Sequence, residues 1–199
     1  MNSRESILHQ LRRQFVPSAE LPSVLCQNWT EYEDPVSKFA EMVAFAGGDC
    51  EMVDTVEEVL GSLRSAAEFQ SAGQVLSLVA GVSGNVDLND IEKPHDLRDL
   101  DYVICQAHLA VAENGAVWLT DQDIRHRVCI FITQFLVVLV QAKTIVHHMH
   151  QAYDQVRQAT VGFGLFLAGP SKTADIEQSL VIGAHGCRRL QVFILQKEF

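Results

Sequence analysis

Two apolar periods alternate along the 199-residue chain. In residues 3–15, Ile7, Leu8, Leu11 and Phe15 share one helical face behind Ser3, a side chain suited to an N-cap, with Ser6 its weaker rival. Asp34-Pro35 opens a second helix, with proline at the first position, where its missing N–H costs nothing. Val36, Phe39, Ala40 and Val43 form its apolar stripe, and Gly47-Gly48 ends it. Thr55, with Glu58 three residues on, has the form of a capping box for a third helix, whose stripe is Val56, Val59, Leu60 and Leu63. Elsewhere the pattern shortens. The runs at 50–53, 75–80, 135–140, 163–168 and 190–195 are short and apolar, as buried strands are. Residues 149–160 and 174–181 read as further helices, and 81–90 as a polar, glycine-containing loop. In 101–120, DYVICQAHLAVAENGAVWLT, apolar runs flank Glu113-Asn114-Gly115, and Asn-Gly between such runs signals a hairpin turn.

Helices thus alternate with buried strands. That order predicts an α/β fold, a Rossmann-like layered sheet with helices on both faces. Residues 1–34 stand apart as an N-terminal helix and an irregular arm containing Pro17 and Pro22; Trp29 and Tyr32 are its predicted anchors. Residues 35–199 make the α/β domain, a length sufficient for a sizeable core.

Charge narrows the partners. The formal net charge is −10 with no Lys/Arg cluster, which argues against nucleic-acid or anionic-membrane binding. Cysteines 26, 50, 105, 129 and 187 are never closer than 24 positions, so no C-x-x-C exists to hold a zinc or iron–sulfur centre, and the expected metal set is none. An odd, scattered set suits reduced thiols in a cytoplasmic protein. The start of the chain reads as an amphipathic helix rather than a signal segment, and the most apolar stretch, 128–142, is too short to cross a bilayer.

The candidate chemistry lies in a few polar segments. Gly169-Pro170-Ser171-Lys172-Thr173 follows a predicted strand and precedes a predicted helix. A helix start offers free N–H groups; the two hydroxyls and Lys172 add donors and charge suited to a small anion. Equally, Thr173 is a simple N-cap, with Asp175 and Glu177 favourably placed in the first turn. The predicted helix would carry Gly183-Ala184-His185-Gly186 about 12 Å from Ser171, where His185 serves a tight turn or a ligand. Glu113, beside Asn-Gly, is the candidate catalytic carboxylate or an exposed turn residue. His147-His148-Met149-His150 lacks the third and fourth ligands of a metal site and reads as a solvated helix start. Asp121, Asp123 and Arg125, His126 and Arg127 read as a solvent-facing patch.

GPSKTADIE, followed by Gly183-Ala184-His185-Gly186 and LQVFIL, resembles the C-terminal signature of the LUD-domain family, of the lactate-utilisation protein C type. AENGAVWL at 112–119 and FAEMVAFAGGDCEMV are similar to further segments of it. Asn114 and Ala116 stand where the family usually has Thr, and Cys187 where it usually has Pro. The resemblance implies a fold akin to that of the phosphosugar isomerases, glucosamine-phosphate deaminases and CoA transferases. It implies an accessory subunit with no cofactor of its own, working with iron–sulfur partner proteins that oxidise lactate to pyruvate. Gly169, Ser171, Lys172, Thr173, Asp175, His185 and Gly186 would bind a small anion or the partner. The alternative is a stand-alone CoA-transferase-like or isomerase-like enzyme using Glu113.

Overall fold

The computed structural model describes residues 2–13, 19, 29–122, 124–157, 162–176, 179–182 and 186–197; for 173–176 and 179–182 this means the backbone path. Helix α1 (Ser3–Arg13) is capped by Asn2 rather than Ser3: Asn2 Oδ1 accepts the Glu5 amide at 2.9 Å, and Glu5 returns a bond to the Asn2 amide. Its Ile7, Leu8 and Leu11 are exposed. Helix α2 (Pro35–Phe45) opens on Asp34, which accepts the Val36 and Ser37 amides. These bonds, that from the Ser37 hydroxyl first, hold the Asp34 carboxyl below the usual carboxylate range. Strand β1 (Asp49–Val53) follows, then α3 (Val56–Ser65) behind its Thr55 cap, short α4 (Ala67–Gln70) and β2 (Val75–Ser77).

The 101–120 segment does not form one hairpin. Its first run divides into β3 (Tyr102–Gln106) and β4 (Leu109–Val111); only β4 turns back through 112–115 into β5 (Ala116–Thr120). After α5 (Cys129–Ile132) come β6 (Phe135–Gln141), β7 (Ile145–Val146), α6 (Met149–Val156) and β8 (Gly164–Leu167). The chain closes with β9 (Lys172–Ile176), β10 (Ser179–Ile182) and β11 (Arg189–Leu195).

Strands β1-β11-β6-β3-β2 form a five-stranded sheet in which every pair is parallel. Strands β7-β4-β5-β8 form a second sheet, mostly antiparallel. Alternate residues of the parallel sheet divide between two cores. Ile104, Val137, Leu139, Phe193 and Leu195 meet Val59 and Leu63 of α3. Val103, Val138, Val192 and Ile194 face the other way, onto Phe39 and Val43 of α2 and onto Ala110, Val117 and Leu119 of the second sheet. The far face of that sheet carries α6, through Leu109, Val111, Ala116 and Ala152. The expected α/β fold, a parallel sheet with helices on both faces, is thus present. The second sheet is an addition: it lies over one face, beside α2.

One predicted helix is overturned. Residues 174–176 and 179–181 belong to the β9–β10 antiparallel pair, which among the described residues joins neither sheet. Thr173, Ile176, Val181 and Ile182 are β-branched and favour extended backbone over helix.

Candidate functional site

The 169–172 loop leaves the carboxyl end of β8, a strand of the second sheet. Relative to the parallel sheet it lies at the other end, beside the starts of β1 and β11, not at the carboxyl edge expected of an α/β ligand loop. Two chain segments hold it. Gly169, with φ of 72°, is pressed onto the Ala46 carbonyl at the end of α2. The Ser171 amide donates to the Cys187 carbonyl at 2.9 Å, and Gly186 backs directly onto the Ser171 side chain. Lys172 Nζ donates to the Ala46 oxygen. That places a cation on a carbonyl the helix leaves unpaired, at the negative end of its dipole.

Two expectations change accordingly. Because a strand begins at Lys172, no helix N-terminus is aimed into the loop, and the reading of Thr173 as an N-cap and Asp175 as a first-turn residue falls with it. Gly186 is next to Ser171, not an element's length away. His185 lies outside the described residues, as does Asp123, and of Thr173 and Asp175 only the backbone is described.

Glu113 is exposed at the β4–β5 turn, and its position has a local cause. Gly115, at φ 69°, lies so close to α2 that a β-carbon there would come within 2.7 Å of the Met42 and Val43 backbone. The turn is thereby fixed, and Glu113 Oε2 accepts the Met149 amide at 2.9 Å, placing an anion at the start of α6. Met42 and Ala46 are one helical turn apart. The Glu113 turn and the Ser171 loop, distant in sequence, therefore rest on the last turns of the same helix.

The His147–His150 stretch is not a solvated helix start. His148, 8% exposed, caps α6 by accepting the Gln151 amide through Nδ1. His147 Nδ1 accepts the Tyr32 amide at 3.0 Å, and His150 stacks on Trp29 with ring centroids 3.7 Å apart. Tyr32 and Trp29 are the anchors of the arm, as expected. The charged segment after β5 is likewise not merely solvent-facing. Asp121 pairs with Arg127 and accepts the Phe163 amide, Arg125 donates to the Leu88 and Asn89 carbonyls, and His126 bonds the Ile91 carbonyl.

Burial pushes the Cys129 thiol up to about 11 and Cys50 to about 12, and raises Cys105 and Cys187 as well, so none is a ready thiolate. Among the described residues no group of three or more His, Cys, Asp or Glu side chains is arranged to hold a metal. No helix among them is long and apolar enough to cross a membrane. A cavity of about 210 Å³ that sequence reasoning did not find lies between the second sheet and α6. His108, Trp118, Thr120 and Gln155 line it, and His108 Nε2 is 2.9 Å from Thr120 Oγ1. Only the register of the β4–β5 pair brings these two together.

The fold and loop define an α/β protein whose polar motif is gripped between α2 and the start of β11 and continues into the two-stranded β9–β10 sheet. Residues 65–195 match the LUD domain, and the chain belongs to that family. It is 34% identical over 91 residues to a lactate utilization protein C from Shouchella clausii, covering 43% of this chain and 40% of that one. It is 28% identical over 125 residues to the protein of that name from Bacillus pumilus, covering 60% and 52%. With the Bacillus subtilis protein of that name it is 35% identical over 88 residues, covering 40% and 36%. The chain spans about half or less of the length of these relatives. A DUF162-family protein from Deinococcus radiodurans has a similar fold, with a TM-score of 0.60 at 20% identity, over 81% of this chain and 96% of that one.

Proposed function

We propose that this chain is a non-redox accessory subunit of a cytoplasmic lactate-oxidising system, docking on an iron–sulfur partner through the 169–187 segment. The β9–β10 pair carries this reading. Among the described residues it is a sheet of its own, joined to neither of the other two, and a two-stranded pair is marginal in water unless something packs on it or extends it. The loop beneath it is built rigidly, as a contact arm requires. Large apolar side chains flank that base: Phe45, 83% exposed, precedes Ala46, and Phe131, 40% exposed, has its carbonyl against Gly186. The names of the relatives supply the substrate, lactate, and the family resemblance supplies iron–sulfur proteins as partners, with this chain carrying no cofactor. A likeness to CoA-transferase-like folds belongs to the same reading and adds no residue to it.

The test is affinity purification of the tagged chain, without oxygen, from lactate-grown cells, followed by iron analysis and lactate-dependent dye reduction. The wild type should bring down iron and activity. A variant with residues 173–182 replaced by a short Gly-Ser turn should lose both while keeping its circular dichroism and melting temperature. An iron-free, inactive wild-type eluate overturns the accessory role. Full retention by the 173–182 variant overturns the docking site.

A further inference from the structure

The cavity between the second sheet and α6 lies at the end of that sheet opposite to the features described so far. The Glu113 turn joins Val111 of β4 to Ala116 of β5, and the Ser171 loop leaves β8 past Leu167, which pairs with Val117. The cavity sits at the other end of the same strands, against Leu109, Trp118 and Thr120. Strand register builds its wall. Trp118 stands opposite Phe166, and Thr120 opposite Gly164. A β-carbon at Gly164 would run into the six-membered ring of Trp118, so the indole occupies the space that a side chain there would take. Phe166 flanks the indole with ring centroids 4.5 Å apart, and Tyr153 of α6 meets Phe166 edge-on at 5.6 Å. Thr120 is short and Gly164 opposite it has no side chain. Beside them a gap of about 210 Å³ remains next to Gln155 and Val156, the last residues of α6.

We propose that this cavity binds a small uncharged heteroaromatic ring whose edge sets a hydrogen-bond donor beside an acceptor, as a carboxamide does. Size limits the ligand first. The volume equals that of about seven waters and falls below the 300–1,000 Å³ or so of drug-sized sites, so a single ring fills it. Charge limits it next. Among the described residues no Asp, Glu, Lys or Arg side chain lines the cavity, and a charged ligand would give up hydration there without a counter-charge. Lactate and pyruvate, both carboxylates, are therefore not its ligands, and the site stands apart from the docking role proposed above. The polar groups then select the edge. Thr120, 6% exposed, bonds His108 Nε2 at 2.9 Å, and the His108 amide donates to the Trp118 carbonyl, which fixes that residue's backbone to β5. Either ring tautomer leaves the hydroxyl something to offer. An Nε2–H donating to Oγ1 frees the O–H to donate onward; a bare Nε2 takes the O–H and leaves Oγ1 to accept. Gln155 brings a carboxamide, which holds a donor and an acceptor side by side and so matches an edge of the same kind. Leu109, Trp118 and Val156 are apolar and suit ring faces. A sugar, with hydroxyls around its whole ring, would leave several of them unpaired against those side chains.

Nicotinamide, nicotinate and xylose are the probes that test this. The first two share a ring and differ in carboxamide against carboxylate; the third is an uncharged sugar. In the ¹⁵N-labelled full chain carrying Trp29→Phe, Trp118 is the one tryptophan, and its indole N–H signal reports the cavity. Nicotinamide should move that signal saturably, with a Kd of about 1 mM or tighter, as a fragment of its size can reach. Nicotinate and xylose should each bind at least about tenfold more weakly. Thr120→Val and Gln155→Leu, each removing one polar partner, should each weaken nicotinamide by about tenfold while the rest of the spectrum keeps its dispersion. No saturable shift up to about 10 mM nicotinamide overturns the proposal whether or not the variants fold. Nicotinate or xylose binding as well as nicotinamide overturns the ligand class. Unchanged nicotinamide affinity in both folded variants overturns the site.

Discussion

Gly169 is where the loop motif is least replaceable. Its φ of 72° suits glycine, and a β-carbon there would run into the Ala46 carbonyl, which is backbone and cannot swing aside. Gly169→Ala should therefore cost about 2 kcal/mol or more, lowering the melting temperature by about 4–8 °C in a domain of this size. Thermal denaturation followed by circular dichroism reads this directly, and an unchanged melting temperature would show that the contact relaxes freely. Glu113 makes a different case. Its Oε2 is engaged with the start of α6, so its first duty is to a helix. Glu113→Gln keeps an acceptor and loses the charge; it should cost only about 0.3–1 kcal/mol and leave partner capture and lactate-dependent dye reduction within twofold of wild type. Abolished turnover with an intact fold would instead make Glu113 a catalytic carboxylate.

Helix α2 ties the elements together, and its N-terminus is pH-sensitive. The folded Asp34 carboxyl is depressed, chiefly by its bond from the Ser37 hydroxyl, so the cap's contribution is present above the unfolded value near 3.8 and is lost as pH falls through the folded one. Asp34→Asn, which caps without titrating, should flatten the acid limb of melting temperature against pH below about 4; parallel acid limbs for wild type and variant would count against this. The cap was legible in the sequence because capping is local chemistry: Asp34-Pro35 and Thr55 each satisfy donors within a few residues. The buried runs were legible as strands, but their sheet was not. Nothing local distinguishes β3, which pairs with β6, from β4, which follows it by two residues and pairs with β5. The 174–181 helix failed for a related reason: Asp175 and Glu177 mimic a first turn, while what makes the described part of the segment extended is the pairing of β9 with β10. Lys172 and Glu113 were identified as chemically interesting, yet their partners, Ala46 and Met149, lie 126 and 36 residues away, beyond the reach of any spacing rule.

At the scale of the molecule, the largest core has no owner. Phe39 and Val43 of α2, Val138 and Val192 of the parallel sheet, and Val117 and Leu119 of the second sheet all belong to it. The second sheet therefore cannot leave without exposing the part of that face it shares with α2, a loss that apolar burial at about 25 cal/mol per Å² makes costly for any partly folded form. Covalent continuity acts the same way, since β3 leads into β4 through only Ala107 and His108, and the Ala107 amide is bonded to the Leu139 carbonyl of β6. The two sheets should unfold together. Of the chain's two tryptophans, Trp118 sits in β5 and Trp29 stacks on His150, so a Trp29→Phe background makes indole emission a reporter of the second sheet alone. Far-UV circular dichroism reports both sheets and the helices. In urea the two probes should trace one transition with a common midpoint. A Trp118 midpoint below that of the dichroism would mean that the second sheet peels away first and that the shared core is weaker than its burial implies. Among the described residues the β9–β10 pair is a separate sheet, joined to neither of the two that share this core. Replacing residues 173–182 with a short turn should leave the common midpoint in place, and so separate the arm's role in docking from the stability of the domain that carries it.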